Sequence, residues 1–329
     1  MPHVLSFGEI LIRQQSVGDS FFGSQENLLR IYPGGSEANV ACSLGQMGTP
    51  VQYASAFPNN KLSEEILAVL NGHQVDTSKC LQIGDRIGSY FLLSANGLTK
   101  GEVIYDRKYS SFSQLSPEDL NFDVLFEDVD WLHWTALTPA LNQEMANVML
   151  KVLQAASKRN IYISVDLNYR NRLWQYGKNP LEIMPDLLAY CHVIMGNIWA
   201  AHTMIGIAVP EGLDRNTEKE VLVEAATVSA AALFEKYPRL EHIANTFRFM
   251  DNPTHNLFFG TYHSRTENAV SHTYETNEIV DRIGSGDAFM AGLIHALRKT
   301  QQAQEIIDIA TGAGYEKLFV EGDFGNGKY

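Results

Sequence analysis

Asp281-Arg282-Ile283-Gly284-Ser285-Gly286-Asp287 runs directly into Ala288, Phe289, Leu293, Ile294 and Leu297 at helical spacing, so two glycines and a serine form a turn that opens a helix. Without Cβ atoms in the way, the turn's N–H groups converge at the positive end of the helix dipole and make an anion cradle. Asp287, in the first turn, is then placed to take a proton from a hydroxyl that attacks a phosphate. The same residues also suit an acid-capped helix of no special function. A second turn, Pro33-Gly34-Gly35-Ser36-Glu37-Ala38-Asn39, leads into a small-residue helix, Ala38 to Met47. Gly34 and Gly35 admit a polyhydroxylated ligand to the backbone, and the Asn39 amide, donor and acceptor at once, reads its hydroxyls. Ala41, Ser43 and Gly45 equally suit close helix–sheet packing.

The elements that must hold these turns follow from patterning. Val4 to Phe7 reads as a buried first strand that ends at Gly8-Glu9, with Glu9 and Arg13 either site residues or a polar strand end. Gln14 to Ile31 has no helical period and reads as short strands or loops. Val51 to Phe57 is a strand and Ser63 to Leu70 a helix. Asp85 to Ser94 and Glu102 to Lys108 form a hairpin about Gly97–Gly101. Tyr90, Tyr105 and Arg107 decorate that hairpin. If it covers a pocket, the planar fork of Arg107 suits a substrate carboxylate.

From Asp130 onward strands and helices alternate, as in a parallel sheet covered on both faces. Trp131–Trp134, Ile161–Val165, His192–Met195 and His242–Ala244 are strands, Asn142–Lys158 and Ala225–Lys236 helices, and Leu257–Tyr262 part of an antiparallel pair. Ligands of such sheets bind outside the carboxyl ends of the strands. There stand Asn168 and Arg170, Gly196 and Asn197, and Thr246 and Arg248.

With 329 residues and 45% hydrophobic content the chain can bury a large core. A formal charge of −13 argues against nucleic-acid and anionic-membrane partners, both of which need clustered cations. Cys42, Cys80 and Cys191, odd in number and far apart, suggest neither a disulfide framework nor a zinc site. No leader or membrane-length apolar run is evident, so a cytoplasmic enzyme is expected. Gly322–Lys328 lacks the Ser or Thr of a phosphate loop, and Asp323-Phe324-Gly325 lacks the companion motifs of a protein kinase. Both read as chance.

The two glycine motifs, in order and separation, resemble the signatures of the ribokinase-like sugar kinases, the PfkB family, and the resemblance covers nearly the whole chain. Tyr105-Asp106-Arg107, Leu115–Leu120 and Asp166–Arg170 with Leu173-Trp174 are similar to 2-keto-3-deoxygluconate kinases, although fructokinases share parts of them. The resemblance implies one domain over residues 1–329. It would be a three-layer α/β/α sandwich on a mostly parallel sheet, with a small β-sheet lid from segments of about 9–35 and 84–112, through which relatives often pair as homodimers.

It further implies transfer of the γ-phosphoryl of ATP, with Mg2+, to the terminal hydroxyl of a sugar acid. Asp287 matches the catalytic base, and the amides of Gly284, Ser285 and Gly286 match the anion hole. Gly34, Gly35, Asn39, Tyr90, Tyr105, Arg107 and Arg170 match sugar-binding positions, and Asn168, Asn197, Thr246 and Arg248 nucleotide-facing ones. The chain departs from the pattern at Ala200, where many relatives carry an acid that organises magnesium-bound water, so the metal ligands are left open. It also departs at Thr246–Met250 in place of a glycine-rich turn, and at Tyr329, near which relatives continue into a last helix. A neutral-sugar kinase such as a fructokinase, or a sugar-binding member that has lost catalysis, are the alternatives.

Overall fold

The structure, a computed structural model, describes residues 2–18, 21–22, 28–93 and 103–329. The expected hairpin turn at Gly97–Gly101 lies outside them. Their main sheet runs, in spatial order, Asn268–Val270, Asn256–Ser264, His242–Phe249, Val193–Gly196, Tyr162–Asp166, Val129–Thr135, His3–Phe7 and Val51–Ala54, with Tyr274–Thr276 added beside Asn256–Ser264. The six strands from His242–Phe249 to Val51–Ala54 are mutually parallel, and the rest pair antiparallel.

Alternation along the parallel strands feeds two cores, because successive side chains leave a strand on opposite faces. Leu5, Phe7, Leu132, Trp134, Ile163 and Val165 join a core with the Gln143–Lys158, Pro180–Leu188 and Ile198–Ile205 helices. Val4, Trp131, Val193, Met195 and Ala244 face the other, built with the Ser36–Gln46, Lys61–Gly72, Ser285–Leu297 and Ala303–Glu316 helices. The outcome is a helix–sheet–helix sandwich on a mostly parallel sheet. In the Ser285–Leu297 helix a Cβ on Gly292 would come within 2.9 Å of Ala310 Cα, so its absence lets the two last helices pack closely.

A separate sheet pairs Leu29–Gly34, Leu11–Ser16, Gly88–Leu92 and Val103–Asp106 in that order. Its first two strands take in the two ends of the stretch expected as short strands or loops, Gln14–Ser16 and Leu29–Ile31. Two expectations need correction. Val51 to Phe57 is not one strand: Val51–Ala54 joins the main sheet, whereas Ala56–Phe57 pairs with Leu81–Gln82 in a two-stranded sheet, because Ser55 separates segments drawn to different partners. Nor does the strand at His242 end at Ala244. It continues to Phe249, since Thr246–Phe249 finds a full antiparallel partner in Leu257–Gly260. Thr246 and Arg248 are therefore strand residues, not loop residues.

Candidate active site

A cavity of about 490 Å3 opens at the carboxyl ends of the parallel strands, within the size range of small-ligand sites. The small sheet supplies Tyr90, Tyr105 and Arg107 to its wall, the strand ends supply Asp166, Asn168, Arg170, Asn197, Thr246 and Arg248, and the two glycine turns supply Gly35, Asn39 and Gly284 through Asp287. Neither Glu9 nor Arg13 reaches its wall, but of the expected catalytic, sugar-binding and nucleotide-facing positions the cavity gathers all but one. Gly34 is the exception. A Cβ there would lie 2.1 Å from an Asp323 carboxylate oxygen, so its missing side chain makes room for the protein itself. At Gly35, φ is 155° and a Cβ would lie 2.3 Å from the Glu9 carbonyl oxygen, which excludes any other residue.

Asp287 is held from the opposite turn. Its Oδ1 accepts from Ser36 Oγ at 2.5 Å and its Oδ2 from Asn39 Nδ2 at 2.7 Å. Asn168 Nδ2 in turn donates to Ser36 Oγ at 3.0 Å, and the Asn168 amide donates to Asp166 Oδ1 at 2.9 Å. Asn168 has φ 26°, a region side-chained residues rarely occupy and one that these two bonds maintain. Burial raises the Asp287 carboxyl above its ordinary range against the Ser36 and Asn39 hydrogen bonds. Burial, then the neighbouring Asp287, push Asp166 up to about 7. Glu37 is also pushed up to about 7 by burial, and its Oε1 accepts from Thr135 Oγ1 at 2.6 Å. A carboxylate poised in this way is basic enough to accept a hydroxyl proton.

The anion cradle has the expected geometry in part. Gly284 sits at φ 84°, and among the described residues no side chain caps the helix it opens and nothing lies within 4 Å of a Cβ built on Gly286. The Ser285 amide, however, donates within the turn to Arg282 O at 3.3 Å. Cations surround the turn. Arg248 Nη1 donates to Ser285 Oγ at 3.0 Å. Burial, then the charges of Arg170 and Arg282, lower the Arg248 guanidinium to about 10, so three like charges crowd one end of the cavity. Arg170 donates to its neighbour's carbonyl, Tyr169 O, at 3.1 Å.

The small-sheet side differs. Arg107 Nε donates to Glu9 Oε2 at 2.6 Å, Ser110 Oγ donates to Glu9 Oε1, and all three residues are buried. Tyr90 donates its hydroxyl to Asp323 Oδ2 at 3.0 Å. Arg13, fully buried, lies 2.7 Å from Asp281 Oδ2 and 3.1 Å from Asp323 Oδ1. Asp323 lines the cavity, and burial pushes it up to about 7. Ser36, Glu37, Asp166, Arg282 and Asp323 were not among the candidates. Ser36 and Glu37 stood inside the second glycine motif, whereas nothing local marks Asp323.

Asn197 caps the Ile198–Ile205 helix, its Oδ1 accepting from Ala200 N at 2.8 Å, and Trp199 reaches the cavity wall beside it. Among the described residues no group of three His, Cys, Asp or Glu side chains gathers as a metal cage. Magnesium at phosphate sites needs only one or two carboxylates, with phosphates and water completing its shell, a demand that Asp166 on the cavity wall meets. Among the described residues no helix is long and apolar enough to cross a membrane.

The chain is similar to several known proteins in sequence and fold. The crystal structure of 2-dehydro-3-deoxygluconokinase from Thermotoga maritima superimposes with a TM-score of 0.88 at 30% identity, covering 99% of this chain and 95% of that one. The 2-dehydro-3-deoxygluconokinase of Bacillus subtilis is 24% identical over 88% of this chain and 81% of its own length. The 2-dehydro-3-deoxygalactonokinase of Haloferax volcanii is 26% identical over about half of each, 52% of this chain and 53% of that one. The profile described as pfkB family carbohydrate kinase matches residues 1–232. With its ribokinase-like fold and its two glycine turns facing one cavity, the chain belongs to the pfkB family of carbohydrate kinases.

Proposed function

We propose that the protein transfers the γ-phosphoryl group of ATP to the terminal hydroxyl of 2-keto-3-deoxygluconate or a similar sugar acid. One observation carries this reading. The Asp287 carboxylate is pinned by Ser36 and Asn39 of the sugar-side turn while it stands in the first turn of an uncapped helix, so one carboxylate spans both halves of the reaction. The acceptor hydroxyl gives its proton to Asp287 as its oxygen bonds to the γ-phosphorus, and the bond from that phosphorus to the ADP oxygen breaks. Amides of the Gly284–Gly286 turn and the guanidinium of Arg248 receive the negative charge of the transferring group. Asp166 and the nucleotide's phosphates would hold Mg2+, which would supply further charge neutralisation.

Arg170, Tyr105 and Tyr90 bind the sugar acid, and the small sheet acts as a lid that excludes water and favours transfer over hydrolysis. Residues 1–329 act as one kinase domain in the cytoplasm. A second copy packs on the outer face of the lid, where Leu29, Ile31 and Ile104 are exposed; sedimentation as a monomer at micromolar concentration removes that part.

The test is a coupled assay of ADP release with 2-keto-3-deoxygluconate and with fructose. The sugar acid is expected to turn over with the higher kcat/KM, and Asp287→Asn to lower kcat by about 10³-fold with nucleotide binding retained. A second reading, a neutral-sugar kinase, draws on the Glu9–Arg107 pair, which already occupies one cation expected for a substrate carboxylate. Preference for fructose would establish it.

A further inference from the structure

Behind the phosphate-side turn lies a charge that the mechanism above does not use. Lys317, at the end of the Ala303–Glu316 helix, is 1% exposed, an unusual burial for an ammonium. Its Nζ donates to Val320 O at 2.9 Å. Its stem lies against the turn, since a Cβ built on Gly284 would be 3.3 Å from Lys317 Cε. The backbone reinforces this contact, with the amides of Val280 and Asp281 donating to Leu318 O at 2.9 and 3.1 Å and the Gly322 amide donating to Asp281 Oδ2 at 3.1 Å. Lys317 therefore sits at the junction of the three segments that set the turn's shape: 280–284, 317–320 and 320–323.

The charged groups facing it are Asp281 and Asp287 from the turn, Asp323 from the C-terminal segment, and Arg13 from the small sheet. Those three carboxylates and Arg13 nearly cancel without it only if some of the acids are protonated, and protonated acids would no longer hold the turn's amides or Arg13 in place. Burial lowers the Lys317 ammonium to about 8, against the attraction of Asp281 and Asp323. The group thus changes charge within the range where an enzyme can be assayed.

We propose that Lys317 is a positioning residue for phosphoryl transfer, whose ammonium balances Asp281, Asp323 and Asp287 and thereby holds the Gly284–Gly286 turn in its anion-receiving shape. The proposal rests on the kinase reading. It acts on the turn and not on the sugar, so its loss falls on kcat and on the pH profile.

The experiment follows ADP release by the full chain with 2-keto-3-deoxygluconate, from pH 6 to 10, for wild type, Lys317→Met and Lys317→Arg. Wild-type kcat is expected to fall as pH rises through about 8. Lys317→Met should lower kcat at pH 7 by roughly tenfold or more with the sugar KM within twofold, and should lack the alkaline limb. Lys317→Arg should keep activity and move that limb upward, because a guanidinium stays charged. Equal kcat in wild type and Lys317→Met, or an alkaline limb unmoved in Lys317→Arg, overturns the proposal. If Lys317→Met does not fold, as read by its circular dichroism, the Lys317→Arg limb decides alone. Absence of turnover by wild type on every sugar acid tried, by contrast, removes the sugar-acid reading on which the proposal rests.

Discussion

At the small-sheet end of the cavity, Arg107 is met by Glu9, and Arg13 by Asp281 and Asp323. At the helix-terminus end, Arg248 reaches a serine hydroxyl, Arg282 the carbonyls of Asn252 and His255, and Arg170 the carbonyl beside it. One end is balanced before any ligand arrives; at the other, burial and then the charges of Arg170 and Arg282 lower the Arg248 guanidinium. Like charges in a partly buried site are costly unless something anionic enters, so an anionic ligand at that end would relieve the imbalance. The balanced end has no such demand.

Breaking the balanced end should give the largest effect, and on stability. Arg107→Met leaves Glu9, 2% exposed, as a lone buried charge and is expected to cost about 3–5 kcal/mol in denaturant melts. Adding Glu9→Gln should recover most of that loss; no recovery would mean the pair is not the unit. The unbalanced end should respond in the opposite sense. Gly286→Ala places a methyl where the protein has nothing within 4 Å, so thermal melting should be unchanged or slightly higher, a helical alanine being better than glycine by about 0.5–1 kcal/mol. The anion then loses its seat, and kcat should fall by about 10²-fold. A melting loss with normal kcat would reverse the contrast between the two ends.

Between them stands Asp166, and its effect is smaller and depends on pH. Its folded value of about 7 lies above the ordinary 3.8, so the folded chain holds that proton more tightly than the unfolded chain does. The contribution is present below the ordinary value and is lost as pH rises toward 7. Asp166→Asn should therefore melt a few degrees above wild type at pH 8, by roughly 2–4 °C, with the gain shrinking toward pH 4. A gain independent of pH would exclude ionisation of Asp166 as its cause. The same variant should weaken stabilisation by ATP with Mg2+ relative to ATP with chelator, if the carboxylate helps hold the metal as proposed.

The glycine turns, the parallel strands and most of the cavity wall were legible in the sequence because each is marked by residues close together in the chain. A Gly-Ser-Gly-Asp run opening an apolar helical period, or a polar cluster after an apolar strand, carries its own local physics. Asp323 shows where such reading stops. It sits in a tripeptide that resembles a kinase motif by chance, and its partners Arg13 and Tyr90 stand far back in the chain, the latter 233 residues away. The continuation of His242–Phe249 past Ala244 was likewise invisible, since it depends on the partner strand Asn256–Ser264.

By itself, then, the sequence determined which residues could hold an anion, offer a base and form a mostly parallel sheet, because helix dipoles, glycine conformations and alternating burial act over a few residues. Only the tertiary structure decided how charge is divided within the cavity: Arg107 neutralised by Glu9, Asp287 tethered to Ser36 and Asn39, Lys317 buried behind Gly284. Those pairings join residues tens to hundreds of positions apart, and their strength comes from a low-dielectric interior that exists only once both cores have closed around the sheet.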